Sequence, residues 1–333
     1  DRGAREAPTQ QLREHIKLVR RERNSYYYRK RLATYRPEEY LSMIVDGADQ
    51  SDSGIPYMSS RSKTQEAAWR VPVKLMGAMV HGRGTYAFTH LKHIPSGANV
   101  TIETIHRVLL DIKKKEGTLP PKLYVQLDNT TRQCKSRYVL GYLSMLVQTG
   151  VFEKVVVSYL PVGHTHEDID QFFSRIAVKL RGQDAWGREE LATQIREAYH
   201  DSAGREPIVV HMEALANISD WLKPYTPKGQ YPLITDWYQF RIWLPSGSRQ
   251  SQGPLVSVRT WPGQGGEWRG FVENTNYTLA FARKLPKIIC RTMPDAQRAD
   301  MSVLQVDDHN LQDPKVRRAL KKTEESNREN KGE

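Results

Sequence analysis

Residues 122–182 read KLYVQLDNTTRQCKSRYVLGYLSMLVQTGVFEKVVVSYLPVGHTHEDIDQFFSRIAVKLRG. A short apolar run at 123–127 stops at Asp128-Asn129, and apolar residues then recur at helical spacing over 135–147. A second apolar run at 155–160 leads through Pro161-Val162-Gly163 to an acidic helix start at 164–170. Strand, helix, strand in that order predicts a parallel pair, with both acidic clusters at strand C-terminal ends. Open α/β sheets hold their ligands at such ends.

Upstream, 40–45 reads as a first strand ending in Asp46-Gly47-Ala48-Asp49, with a Ser/Gly/Pro-rich loop over 50–63. The segments 71–81 and 85–93 read as a hairpin turning at 82–84, and Asn99 is expected to cap a helix at 102–115. The predicted order is three strands, helix, strand, helix, strand, helix: an α/β fold.

Downstream of Gly182, helices are expected at 188–202 and 209–222. Trp- and Tyr-rich strands at 237–244, 255–261 and 268–273 predict a C-terminal β-rich module. Such a module could bind DNA or a partner chain, or pack on the core. The division is a basic helical segment at 1–39, an α/β core at 40–182, linker and module at 183–310, and a disordered charged tail at 311–333.

The chain has 333 residues, 38% hydrophobic and 26% charged, a soluble globular composition. No run of about 18 apolar residues predicts a membrane span, and no signal peptide opens the chain. It begins at Asp1 rather than Met, which reads as part of a longer protein. Cys134 and Cys290 form no CxxC pair, excluding a cysteine zinc site and fitting a reducing, intracellular compartment.

The net charge of +12 is uneven. Residues 1–36 carry 11 Lys/Arg against 4 Asp/Glu, and residues 314–333 carry 7 against 4. Basic arms suit a polyanion, although a solvated helix face explains the same charge. In 10–36, Leu12, Ile16 and Val19 form an apolar stripe beside Arg20, Arg21 and Arg23. Tyr26, Tyr27 and Tyr28 precede Arg29, Lys30 and Arg31. Aromatics among cations can stack on bases and meet phosphates, or the tyrosines can pack on a core.

With acids after the first strand, after the fourth and on the last helix, residues 40–182 resemble the ribonuclease-H-like core of DDE/D transposases and retroviral-type integrases. Asp128-Asn129 is similar to the second acid of such enzymes. Residues 167–174, EDIDQFFS, resemble the last helix of mariner-type transposases, which would make Asp170 the third acid. A closer resemblance is to uncharacterised, transposon-derived eukaryotic proteins carrying D-G-x-D-Q, L-D-N-T and V-G-H-T-H-E-D-I-D segments. Here these fall at 46–50, 127–130 and 162–170.

The resemblance implies a mixed five-stranded sheet and a DDD site of Asp46, Asp128 and Asp170. In-line phosphoryl transfer needs charge stabilised on both attacking and leaving oxygens. Two divalent ions about 3.5–4 Å apart can do this, and hard carboxylate ligands select Mg²⁺ or Mn²⁺. Glu167, one helical turn before Asp170, would add a metal ligand, while Asn129, His164, His166 and Asp168 would stand around the site. Asp168 and Asp170 are two apart on a helix and cannot both face one ion. Double-stranded DNA, both element ends and target, is the implied partner, with homo-oligomerisation and a nuclear location.

Each acid has a plainer reading. Asp46-Gly47 fits a turn, and Asp49 or Asp52 could serve instead. Asp128-Asn129 fits a helix N-cap, and Glu167, Asp168 and Asp170 fit a helix dipole. A decayed relative that binds DNA without cutting it shares the pattern. His164-x-His166-x-Asp168 also resembles the metal-binding segment of the metallo-β-lactamase fold, a zinc hydrolase, but Ile169 stands where that family has a further His.

Overall fold

The computed structural model describes residues 2–48, 54–60, 70–91, 94–131, 133–159, 168–226, 231, 234–244, 254–259, 268–272 and 288–289. In chain order the helices are α1 (Arg2–Tyr35), α2 (Ala98–Glu116), α3 (Arg137–Gln148), α4 (Asp168–Arg181), α5 (Arg188–Ala198) and α6 (Ile218–Leu222). The strands of the first half are β1 (Tyr40–Gly47), β2 (Gly54–Ile55), β3 (Val71–Val80), β4 (Gly84–Leu91), β5 (Lys122–Leu127) and β6 (Lys154–Tyr159). Then follow β7 (Ile208–His211), β8 (Leu215–Ala216), β9 (Gln239–Trp243), β10 (Leu255–Arg259), β11 (Arg269–Val272) and β12 (Ile288–Ile289). Among the described residues no helix is long and apolar enough to cross a membrane.

The fold is α/β around one mixed sheet, ordered β11-β10-β9-β6-β5-β1-β3-β4-β7. β1, β5 and β6 run parallel; β3 is antiparallel to β1, and β4 to β3. The sheet is wider than the five strands expected. β7 joins β4 in parallel, and β9 joins β6 antiparallel, carrying β10 and β11 with it. The Trp-rich strands therefore continue the central sheet: β6 is a Val-rich strand whose free edge would otherwise leave backbone groups unpaired.

Alternation divides the side chains between two cores. Leu41, Met43 and Val45, with Leu123, Val125, Leu127, Val155 and Val157, face α2 and α3. Ile44, Val73, Leu75 and Met79 face the other way, against Ile169, Phe172, Ile176 and Leu180 of α4. Those four recur at helical spacing, which is why α4 docks.

Three local expectations are corrected. The helix expected at 209–222 is helical only at Ile218–Leu222, because the β-branched Ile208–His211 segment finds a partner in β4. Asn99 does not cap its own helix, whose N-cap is Gly97; its side-chain oxygen accepts from the Ser219 backbone N–H at 2.8 Å, at the start of α6. On α1, Leu12 and Ile16 are exposed, and the buried stripe is instead Glu22, Tyr26, Arg29 and Ala33. That stripe is polar because its partners are: Arg29 donates to Ser158, Glu22 accepts from Gln239, and Tyr26 Oη meets His81 Nε2. The tail expected to be disordered at 311–333 lies outside the described residues.

Candidate active site

β1 and β5 place two of the acids. Their parallel register runs to Val45 opposite Leu127, so Asp46 and Asp128 stand at equivalent positions one step further on. Each carboxylate accepts from the next backbone N–H, Gly47 at 2.7 Å and Asn129 at 2.6 Å. Burial pushes the Asp46 carboxyl up to about 7; the Gly47 N–H opposes this, while the charges of Asp128 and Asp170 add to it. The other two predicted acids are thus both near enough to Asp46 to bear on its charge.

Asp170 comes from the first turn of α4, and Gly77 lets that helix approach. Gly77 is the cross-strand partner of Asp46. A Cβ there would lie 2.8 Å from the ring of Phe173 and 3.2 Å from Ile169, both on α4 beside Asp170. A side chain at position 77 would push the third acid's helix off the sheet.

A cleft of about 160 Å³ opens beside the pair, lined by Asp46, Asp128, Lys74, His90, Ser96, Gly97, Thr101, Thr130, Gln133 and Cys134 among others. Lys74 donates to Ser96, and Gly97 begins α2 without a side-chain cap, so the positive end of that helix adds to the lysine charge. Cys134 is buried, and that burial pushes its thiol up to about 12, which favours the protonated form. Sequence reasoning missed Lys74, although a single cation inside the apolar run 71–80 was the signal for it. His90 and Ser96 gave no comparable signal.

Asn129 follows Asp128, and its Oδ1 is buried without a hydrogen-bond partner; both polar ends of Gln126 are equally unpaired. Asp168 points elsewhere. It accepts from Lys30 and, at 3.2 Å, from Tyr26 Oη, both on α1. His81 Nε2 lies 2.9 Å from the same hydroxyl, and its Nδ1 lies 3.0 Å from Ser42 Oγ. A neutral His81 protonated on Nε2 satisfies every member of this chain of bonds. His164, His166 and Glu167 lie outside the described residues.

Of the predicted nucleic-acid residues, Arg20, Arg21, Arg23 and Arg31 are exposed on α1. Arg29 does not fit that role: it is 7% exposed, donates to Ser158 and lies over the Tyr124 ring. Lys30 is committed to Asp168. Tyr26 is buried, while Tyr27 and Tyr28 are exposed.

A cation beside Asp46 and Asp128 would oppose the burial that raises the Asp46 carboxyl and the like charges that add to it. Among the described residues, however, no three His, Cys, Asp or Glu side chains are grouped closely enough to hold a metal.

No curated protein matches the chain. A family profile described as a domain of unknown function, DUF7869, matches residues 63–251. The match takes in Asp128, Asp170 and every strand from β3 to β9, and leaves Asp46 outside. Because it spans more than half of the 333 residues, the chain belongs to the DUF7869 family.

Proposed function

We propose that the chain is a transposon-derived DDD transposase, cutting and joining DNA strands with Asp46, Asp128 and Asp170 as ligands of Mg²⁺ or Mn²⁺. The observation that carries this reading is that Asp46 and Asp128 stand side by side at the ends of parallel β1 and β5, with Asp170 of the first turn of α4 near enough to bear on Asp46. The order β4-β3-β1-β5-β6, with β1, β5 and β6 parallel and β3 reversed, is the order expected of a ribonuclease-H-like core, and it supports the reading.

Bound ions would supply Lewis-acid stabilisation of the attacking and leaving oxygens. The chain's own residues do the rest. Asp46 and Asp128 hold negative charge at fixed strand ends, and Lys74 with the N-terminus of α2 offers a positive wall for a phosphate. Exposed Arg20, Arg21, Arg23 and Arg31 give α1 a basic face toward DNA, and a DNA substrate implies a nuclear location.

A second reading, a relative that binds DNA without cutting it, is favoured by the lack of a closed three-residue metal group among the described residues. One assay separates the two: Mg²⁺-dependent nicking of DNA carrying the element's own terminal repeats. Nicking that EDTA stops supports the transposase. Salt-sensitive binding with no nicking in Mg²⁺ or Mn²⁺ supports the binder. Zinc retained through purification would point instead to a hydrolase.

A further inference from the structure

The face of the sheet on the α1 side changes character beyond β5. Register puts Lys154 opposite Trp243, Val156 opposite Arg241 and Ser158 opposite Gln239, and Gln239 in turn opposite Arg259. Alternate residues share a face, so Lys154, Arg241, Trp243 and Arg259 all point the same way. The Arg241 guanidinium lies 4.4 Å from the Trp243 ring centroid and 4.7 Å from that of Trp268; the Arg259 guanidinium lies 4.3 Å from Trp268.

Among the described residues no carboxylate bears on Lys154 or Arg241, and only the buried Glu22 bears on Arg259. Burial and the charges of Arg241, Lys122 and Arg29 all push the Lys154 amine down. Lys122, its neighbour across the β5–β6 register, is held by Glu39, which also binds Arg36. Glu22, the acid beside Arg29 and Arg259, is buried against Gln239. The Nε of Arg241 is buried with no hydrogen-bond partner. Collecting like charges on a half-buried face weakens the free protein, and an anion removes that cost. Ring contacts also fix the guanidinium planes, so their fork geometry is set before a phosphate arrives.

We propose that the face formed by Lys154, Arg241, Arg259, Trp243 and Trp268 is a DNA-backbone clamp, separate from the acids. Arg259 lies level with Gln126, three strands across from β5, while Lys154 and Trp243 lie level with Lys122, six residues before Asp128 and roughly 20 Å from it at about 3.3 Å per residue. That span corresponds to about six nucleotides of duplex, so the clamp grips DNA flanking the site of cutting. The choice of DNA as polyanion rests on the function proposed above; the binding itself needs neither metal nor acids.

The test is binding of the full chain to a fluorescein-labelled 30-base-pair duplex in EDTA, read by anisotropy from low to high salt. Each lost phosphate contact should flatten the slope of log affinity against log salt by about 0.9. Arg241→Gln with Lys154→Gln should therefore flatten it by about 1.8 and weaken binding several-fold at physiological salt. Arg241→Lys should keep the slope and lose affinity, since it retains charge without the fork. If removing Arg241 unfolds the chain, Arg259→Gln with Lys154→Gln reads the same slope on the intact fold. An unchanged slope in the folded double variant, or wild-type protein that does not bind the duplex, overturns the clamp. Because EDTA suppresses cutting, a positive result stands even if the acids prove inert, and a negative one leaves the nicking assay untouched.

Discussion

Asp168 and Asp170 sit two residues apart at the start of α4, yet they belong to unlike polar regions. Asp168 completes a closed chain through Tyr26, His81 and Ser42 that fastens α1 and α4 to the sheet. Asp170 adds charge to an edge already crowded by Asp46 and Asp128, next to an Asn129 oxygen with no partner. Burial drives His81 down to about 4 and Asp46 up to about 7, so each is biased toward its neutral form. In the first region hydrogen bonds make that neutrality final. In the second, a cation would reverse it. A closed chain of hydrogen bonds serves the fold, whereas like charges gathered at one place are what a cationic ligand would relieve.

The contrast can be broken most decisively at the acids. Asp46→Asn, Asp128→Asn and Asp170→Asn should each lower Mg²⁺-dependent nicking on the order of 10³-fold, equivalent to several kcal/mol of lost charge stabilisation, with DNA binding retained. Three variants that nick like wild type would remove the acids from any catalytic account.

Acid should act on the other region. His81 titrates near 6.5 when unfolded and near 4 when folded. Above pH 6.5 both states are neutral; as pH falls from 6.5 toward 4 only the unfolded chain takes up the proton. Stability should then fall by up to roughly 3 kcal/mol. His106 and His211 are shifted in the same direction, so the measurement is the difference in urea-unfolding free energy against pH between wild type and His81→Gln. Parallel curves would mean that His81 is not neutral in the fold.

Gly77→Ala probes the joint between the regions. The added methyl meets Phe173, and the expected loss is about 1–3 kcal/mol of stability together with reduced nicking, as α4 moves off β3. Loss of stability without loss of nicking would show that the position of Asp170 is immaterial. The mildest change is Asp168→Asn. It weakens a partly exposed ion pair to Lys30, worth about 1 kcal/mol or less, and should leave nicking within a few-fold of wild type. If it abolishes nicking while Asp170→Asn does not, the two aspartates have exchanged roles.

The strands Val71–Val80, Gly84–Leu91, Lys122–Leu127 and Lys154–Tyr159 were legible because apolar runs bounded by turn residues leave little choice of structure. Asp46 and Asp128 were legible for the same reason: each ends such a run. What could not be read was anything decided by a distant partner. Ile208–His211 becomes a strand only because β4 is there to receive it. Arg29 belongs to a basic, tyrosine-rich run, yet Ser158 and Tyr124 draw it inside. Asp168 and Asp170 look alike in sequence, and a tyrosine 142 residues upstream of Asp168 tells them apart.

The contact between Glu22 and Gln239 spans 217 residues, joining the first helix to a strand near the far edge of the sheet. Ribosomes add roughly 5–20 residues per second, so about 10–40 s pass after Glu22 is made before its partner exists. Throughout that interval Glu22, on the inner stripe of α1, has no final partner to be buried against. Closure of the fold over α1 is therefore a late event in the life of the nascent chain, and a basic helix waits exposed on the translating ribosome until β9 has emerged.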